Sequence, residues 1–139
     1  MAGLSIRLSE GDRLVINGAA IQVESDTRLR ITNKVNILFG DQIMSPEDAN
    51  TPARRIYFAI QNFHVSNPEE REKALEGARY FIDAFRSETT SHHAKALLDI
   101  ALEEMKAANG YAALRVAQRI IRHEAAVLGG TEDKAEKTA

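Results

Sequence analysis

The sequence predicts an α+β protein: a small N-terminal antiparallel β-sheet or partly open barrel, followed by a C-terminal bundle of about four α-helices. Three observations lead there. From Leu4 to Phe39 apolar and polar residues alternate with period two, the pattern of strands with one buried face. After Gly40 the apolar residues recur at helical spacing instead. At 139 residues the chain is the size of one ordinary domain. The expected organisation is a β subdomain over 1–44, a helical subdomain over 45–130 and a disordered polar tail over 131–139.

Each element has a local reason. Leu4, Ile6 and Leu8 point one way while Ser5 and Arg7 point the other. Glu10, Gly11 and Asp12 supply turn chemistry, and Leu14 to Ile16 runs into Asn17-Gly18, the dipeptide best suited to the positive φ angles of a type I′ hairpin. Ile21 and Val23 mark the return strand, Leu29 and Ile31 a fourth strand after the Ser25-Asp26 turn, and Val35, Ile37 and Phe39 a fifth after Asn33-Lys34. The five read as an antiparallel meander or a small, partly open barrel. Ser45-Pro46-Glu47-Asp48 resembles a capping box with proline at the first helical position, and Thr51-Pro52 repeats the signal. This predicts a short helical turn, a break near Asn50 and a main helix from Pro52 to about His64. Ile56, Ala59, Ile60 and Phe63 form its buried stripe, and Tyr57 and Phe58 make it apolar on more than one side, as in a central helix.

Asn67-Pro68-Glu69-Glu70 opens a second helix, with Ala74, Leu75, Ala78, Ile82 and Phe85 inward, broken by the polar run from Ser87 to Ser91. The third runs from about His92 to Ala108 and is capped by Asn109-Gly110. The fourth spans Tyr111 to Leu128, with Leu114, Ala117, Ile120, Ile121 and Val127 inward and Gly129-Gly130 as its stop. A sheet of about 40 residues is too small to stand alone. It must pack on its own helices or on a second subunit, so a homodimer or higher homo-oligomer is expected.

Charge excludes some functions. Eighteen Lys and Arg against twenty Asp and Glu give a net charge of -2, so bulk electrostatics call for neither nucleic acid nor a membrane, and any polyanion must meet a local patch. The absence of cysteine removes disulfides, thiolate metal sites and a thiol nucleophile. No apolar run approaches membrane-spanning length and no signal pattern opens the chain, so a cytoplasmic protein without a membrane partner is expected.

No catalytic constellation is legible either: no glycine-rich phosphate loop, nucleophile elbow, His-Glu-x-x-His or calcium loop. The expectation is a protein that is not an enzyme and holds no metal or cofactor. His92-His93 and His123-Glu124 lack a matched i, i+4 ligand pair, and adjacent helical side chains point about 100° apart, so surface histidines are the better reading.

The basic residues carry more. Arg28 and Arg30 share one face of a predicted strand, Lys34 follows at the turn, and Arg7 and Arg13 belong to neighbouring strands. At about 7 Å between i and i+2, guanidiniums so placed suit successive phosphates and can stack on the bases of single-stranded or looped RNA. The competing reading is a solvated strand face balanced by Glu10, Asp12, Glu24 and Asp26. Arg115, Arg119 and Arg122 form a second row, for which pairing with the acidic second helix, within the fold or between subunits, is the simpler account. Arg54-Arg55 opposes its own helix dipole, which points to an anionic contact outside the helix.

Ile16-Asn17-Gly18-Ala19-Ala20-Ile21, Ile37-Leu38, and the long run from Asp41-Gln42-Ile43-Met44-Ser45-Pro46 through Thr51-Pro52-Ala53-Arg54-Arg55-Ile56-Tyr57-Phe58 to Gln61 resemble the flagellin-synthesis repressor family FlbT. The looser resemblance extends from Leu4 to Leu128. It implies a regulator acting after transcription, which associates with the flagellin mRNA leader and works alongside the flagellar regulator FlaF. The family pattern marks the Asn17-Gly18 hairpin and the Thr51-Pro52 helix start more clearly than any cationic cluster. Arg28, Arg30, Lys34, Arg54 and Arg55 are therefore assigned as RNA contacts by charge and expected exposure. The alternative is a protein-binding adaptor or chaperone-like module for flagellin or a flagellar regulator, with indirect effects on RNA.

Overall fold

The period-two residues form five strands: β1 (Leu4–Leu8), β2 (Arg13–Ile16), β3 (Ala19–Gln22), β4 (Thr27–Ile31) and β5 (Ile37–Phe39). Four helices follow: α1 (Pro52–His64), α2 (Arg71–Glu88), α3 (His92–Lys106) and α4 (Gly110–Thr138). Single 3₁₀ turns lie at Gly40–Gln42, Pro46–Asp48 and Pro68–Glu70. The structure is a computed structural model; it describes residues 3–33 and 35–138, with side chains described as far as Val127.

The strands do not form a meander, nor do they close into a barrel. β1 pairs with β4 in a two-stranded ribbon, and β2 lies between β3 and β5 in a separate three-stranded sheet, all antiparallel. Alternation assigns a residue to a face but does not name the partner strand, and the β2–β3 hairpin is nested between β1 and β4. That hairpin turns as the Asn-Gly pair dictates, with φ of 47° at Asn17 and 89° at Gly18. The Asn17 carboxamide oxygen accepts from the Asn36 N–H at 3.1 Å, which holds β5 beside the turn.

The same alternation creates two cores. Leu8, Leu14 and Val23 are buried between ribbon and sheet, with Ile6, Ile16, Ile21, Leu29, Ile37 and Phe39 around them. Val15 and Leu38, one residue out of phase, point from the sheet into the helical core. The layers are therefore ribbon, sheet and helices, with Val15 and Leu38 on the helix side while Arg13, Ala20 and Gln22 on that same face stay exposed.

Helix α1 is central, packing on both α2 and α4, and Ile56, Ile60 and Phe63 are almost wholly buried. The Thr51 hydroxyl oxygen accepts from the Arg54 N–H at 3.1 Å, as a cap should. A second cap comes from far away: the Glu124 carboxylate accepts from the Ala53 N–H at 3.0 Å, across 71 positions. The connection near Gly40-Asp41 is tied down. The Tyr57 hydroxyl donates to the Gln42 carbonyl at 2.6 Å, and the Gln61 amide accepts from the Met44 N–H at 2.7 Å and donates to the Met44 carbonyl at 3.1 Å. Burial pushes the Tyr57 hydroxyl above its usual pKa, which keeps it a donor.

Several local expectations are corrected. Ser45 makes no capping box; its hydroxyl donates to the Asp48 carboxylate at 3.1 Å. Asn109-Gly110 does not supply the left-handed residue after α3. Ala108 takes it, with φ of 65°, and the bonds from the Ala108 and Asn109 N–H groups to the Met105 and Glu104 carbonyls close a Schellman motif. Val127 is exposed instead of inward. The helix stop expected at Gly129-Gly130 is not made, since α4 is helical to Thr138; the following Glu, Lys and Ala residues are good helix formers that offset the glycines.

Gly110 is needed for a different reason. A Cβ there would lie 2.5 Å from the His64 Nδ1, so α4 can begin against His64 only because residue 110 has no side chain. His64 is buried and its Nδ1 has no hydrogen-bond partner. Burial holds its pKa below the usual histidine value, a contact with the Ile37 backbone opposes this, and the Arg71 charge adds to it.

A depressed histidine pKa makes the unfolded chain the better proton acceptor. The stability linked to His64 is thus complete above the unfolded value of about 6.5 and is lost as pH falls through the lower folded value. The thermal midpoint should fall between about pH 7 and about pH 5, with part of that fall absent in His64→Gln. Identical slopes for both proteins would remove His64 from the account.

Candidate nucleic-acid interface

Register decides what the ribbon presents. Arg7 stands opposite Arg28, and Ser5 opposite Arg30, in the β1–β4 pairing. Leu4, Ile6, Leu8, Leu29 and Ile31 take the other face, of which Ile6, Leu8 and Leu29 join the core shared with the sheet. Three guanidiniums therefore share the outer face of the outermost layer, and all three residues are exposed. Acids gather at the ribbon's end: the Asp26 carboxylate accepts from the Glu10 N–H at 2.9 Å, and the Asp12 carboxylate from the Ser9 N–H at 2.8 Å. These carboxylates order the turns. Among the described residues the one ion pair is Arg86–Asp99, at 2.9 Å between α2 and α3.

The remaining candidates are not brought to this face. Arg54 and Arg55 lie in the first turn of α1, in the helical layer. Arg54 is half-buried in a small hollow that also holds Asp41, Asp48, Tyr57 and Gln118, while Arg55 is exposed. Lys34 lies outside the described residues. Arg13, on β2, belongs to the other sheet, opposite Gln22. Arg7 is legible in the sequence as a strand residue with its side chain in phase with Ser5, but only the β1–β4 pairing reveals that it faces Arg28.

The arginine row on α4 makes none of the expected internal pairings. Arg115, Arg119 and Arg122 are exposed, and none forms an ion pair with a described residue. Helices α2 and α4 each pack on α1 and α3, and of the α2 acids Glu88 borders a hollow with α4, beside His123 rather than the arginines. His93 and His123 stack edge to face with ring centres 5.3 Å apart. His123 and Glu124 border a hollow of about 530 Å³ with Phe85, Glu88 and Val127. Among the described residues no group of three or more His, Asp or Glu side chains could hold a metal ion, and no helix is long and apolar enough to cross a membrane.

Fold and surface together define a small α+β protein with a three-layer β-β-α arrangement and exposed arginine faces on its outermost ribbon and last helix. The family model for the flagellar protein FlbT matches residues 4–128, and the chain belongs to that family. It is 42% identical over 72 residues to a probable flagellum biosynthesis repressor protein FlbT of Allorhizobium ampelinum, covering 52% of this chain and 48% of the relative. It is 34% identical over 87 residues to the Chelativorans protein of the same description, covering 60% of this chain and 59% of the relative. The Agrobacterium fabrum protein is 37% identical over 71 residues, covering 51% and 47%. The matched stretch thus spans about half the length of these curated relatives. No solved structure matches the chain.

Proposed function

We propose that this chain regulates flagellar synthesis as a repressor, recognising the leader of a flagellin mRNA and thereby controlling its stability or translation. Family membership supports the flagellar role, and the relatives' descriptions support repression. The observation that carries the RNA contact is the cross-strand pair Arg7 and Arg28 with Arg30 beside it. Like charges directly opposite in a sheet are destabilising, and here no described acid neutralises them. A phosphate backbone relieves that repulsion, and guanidinium binds phosphate bidentately.

The test is a titration of flagellin leader RNA at two salt concentrations. Three phosphate contacts predict that affinity falls at least about 20-fold between roughly 50 and 200 mM salt. An absence of leader binding at low salt removes direct recognition. The adaptor reading then takes its place, with flagellin or a flagellar regulator such as FlaF as the protein to be tested for capture.

A further inference from the structure

Between Tyr111 and Arg122 the exposed residues of α4 are Tyr111, Arg115, Gln118, Arg119 and Arg122. Tyr111, Arg115, Gln118 and Arg122 follow one another at i, i+4, i+7 and i+11, which sets them in a single stripe along the helix, with Arg119 at its side. The only acid from Gly110 to Val127 is Glu124. That carboxylate is buried and committed to the Ala53 N–H, so it does not offset the stripe. No described acid pairs with the three guanidiniums. Tyr111 is 49% exposed, and its hydroxyl oxygen accepts a long bond of 3.4 Å from the Gln42 amide, which tethers the ring's tip to the connection after β5. On the far side of Gln118, Arg54 shares its hollow with Asp41 and Asp48, and the unbalanced charge ends there.

We infer that this stripe is a second RNA-contacting surface, on which single-stranded RNA lies with phosphates on the arginines and a base on Tyr111. The inference rests on the mRNA reading above but concerns a face of a different layer from the ribbon. The choice of ligand follows from what the stripe lacks. A protein interface is centred on apolar anchors buried at its middle, and the stripe exposes no aliphatic side chain. Nucleic-acid interfaces are polar and strongly cationic. Arginine to hold phosphate, tyrosine to stack and glutamine to meet a base edge are the groups by which unpaired bases are bound. A duplex keeps its bases stacked on one another, so the exposed ring selects an unpaired segment.

The test uses the full chain, a short oligouridylate and flagellin leader RNA. The variants are Arg115→Ala/Arg119→Ala/Arg122→Ala, Tyr111→Leu and Arg28→Glu/Arg30→Glu; the altered side chains are exposed, and each variant's thermal midpoint verifies folding. The triple α4 variant should lower the slope of log affinity against log salt by about 2. Tyr111→Leu should weaken oligouridylate binding about tenfold and leave that slope unchanged. If the α4 variants bind both RNAs as the unaltered chain does while Arg28→Glu/Arg30→Glu fails, the stripe is not an RNA surface and the ribbon reading stands. Polyglutamate binding that depends on the stripe, without RNA binding there, overturns the inference in favour of an acidic protein. An unaltered chain that binds neither RNA at low salt removes both readings.

Discussion

Arg28→Glu/Arg30→Glu is expected to abolish leader binding while leaving the protein as stable as before or slightly more so. Each arginine that holds a phosphate contributes a charge-assisted contact of about 1.5–3 kcal/mol. Losing two of them costs about 100-fold in affinity or more, before the repulsion of the new carboxylates is added. Stability moves the other way because the Arg28→Glu change sets a carboxylate opposite Arg7. A like-charge pair becomes an opposite-charge pair, worth about 0.2–1 kcal/mol. The apolar face of β4 is untouched, since Leu29, which packs into the core shared with the sheet, and Ile31 lie on the strand face opposite the arginines. Filter binding and thermal unfolding of one preparation check both halves. Binding lost together with folding would mean only that the ribbon had been damaged, whereas unchanged affinity in a folded variant would exclude the ribbon from RNA recognition.

Two glycine-to-alanine substitutions in helices should act in opposite directions. Gly110→Ala sets a methyl group 2.5 Å from the His64 Nδ1, 3.0 Å from its Cβ and 3.1 Å from its Cγ. His64 is buried, so it has little room to withdraw, and the start of α4 must shift. Overpacking of this kind costs about 1–3 kcal/mol, which exceeds what alanine gains as a helix former at a first-turn position. A methyl group at Gly77, inside α2, would meet nothing within 4 Å, so Gly77→Ala should stabilise the protein by up to about 1 kcal/mol. Denaturant unfolding of the two variants measures the contrast. A neutral Gly110→Ala would show that α4 does not need its close approach to His64.

Local chemistry is legible in the chain wherever neighbours in sequence decide the outcome. Asn17-Gly18 specifies its turn, and Thr51-Pro52 specifies the start of α1, which runs from Pro52 to His64 as its apolar stripe requires. Distant partners are not legible. Period-two alternation puts Arg7 and Arg28 on solvent faces, but nothing in it says that β1 passes over the β2–β3 hairpin to reach β4. Glu124 reads as one more polar position on α4 until the fold carries it to Ala53. Asn109-Gly110 reads as the left-handed end of α3 because those types tolerate positive φ, yet tertiary packing uses Gly110 elsewhere and Ala108 takes the strain.

Of the RNA contacts expected from charge, Arg28 and Arg30 lie on one face, Arg54 and Arg55 lie on another layer, and Lys34 falls outside the described residues. The row on α4 is legible as a row. Its freedom from internal ion pairs is not, because that depends on how the helices pack around one another in three dimensions.

The Glu124 cap also bears on how the chain matures on the ribosome. Helix α1 has no acid of its own in its first turn, so the positive end of its dipole lacks a carboxylate until residue 124 has emerged. The central helix of the core thus acquires one of its two caps only after the 71 positions that separate Ala53 from Glu124 have been made. A nascent chain arrested before that point holds α1 incompletely secured, and consolidation of the helical layer waits on α4.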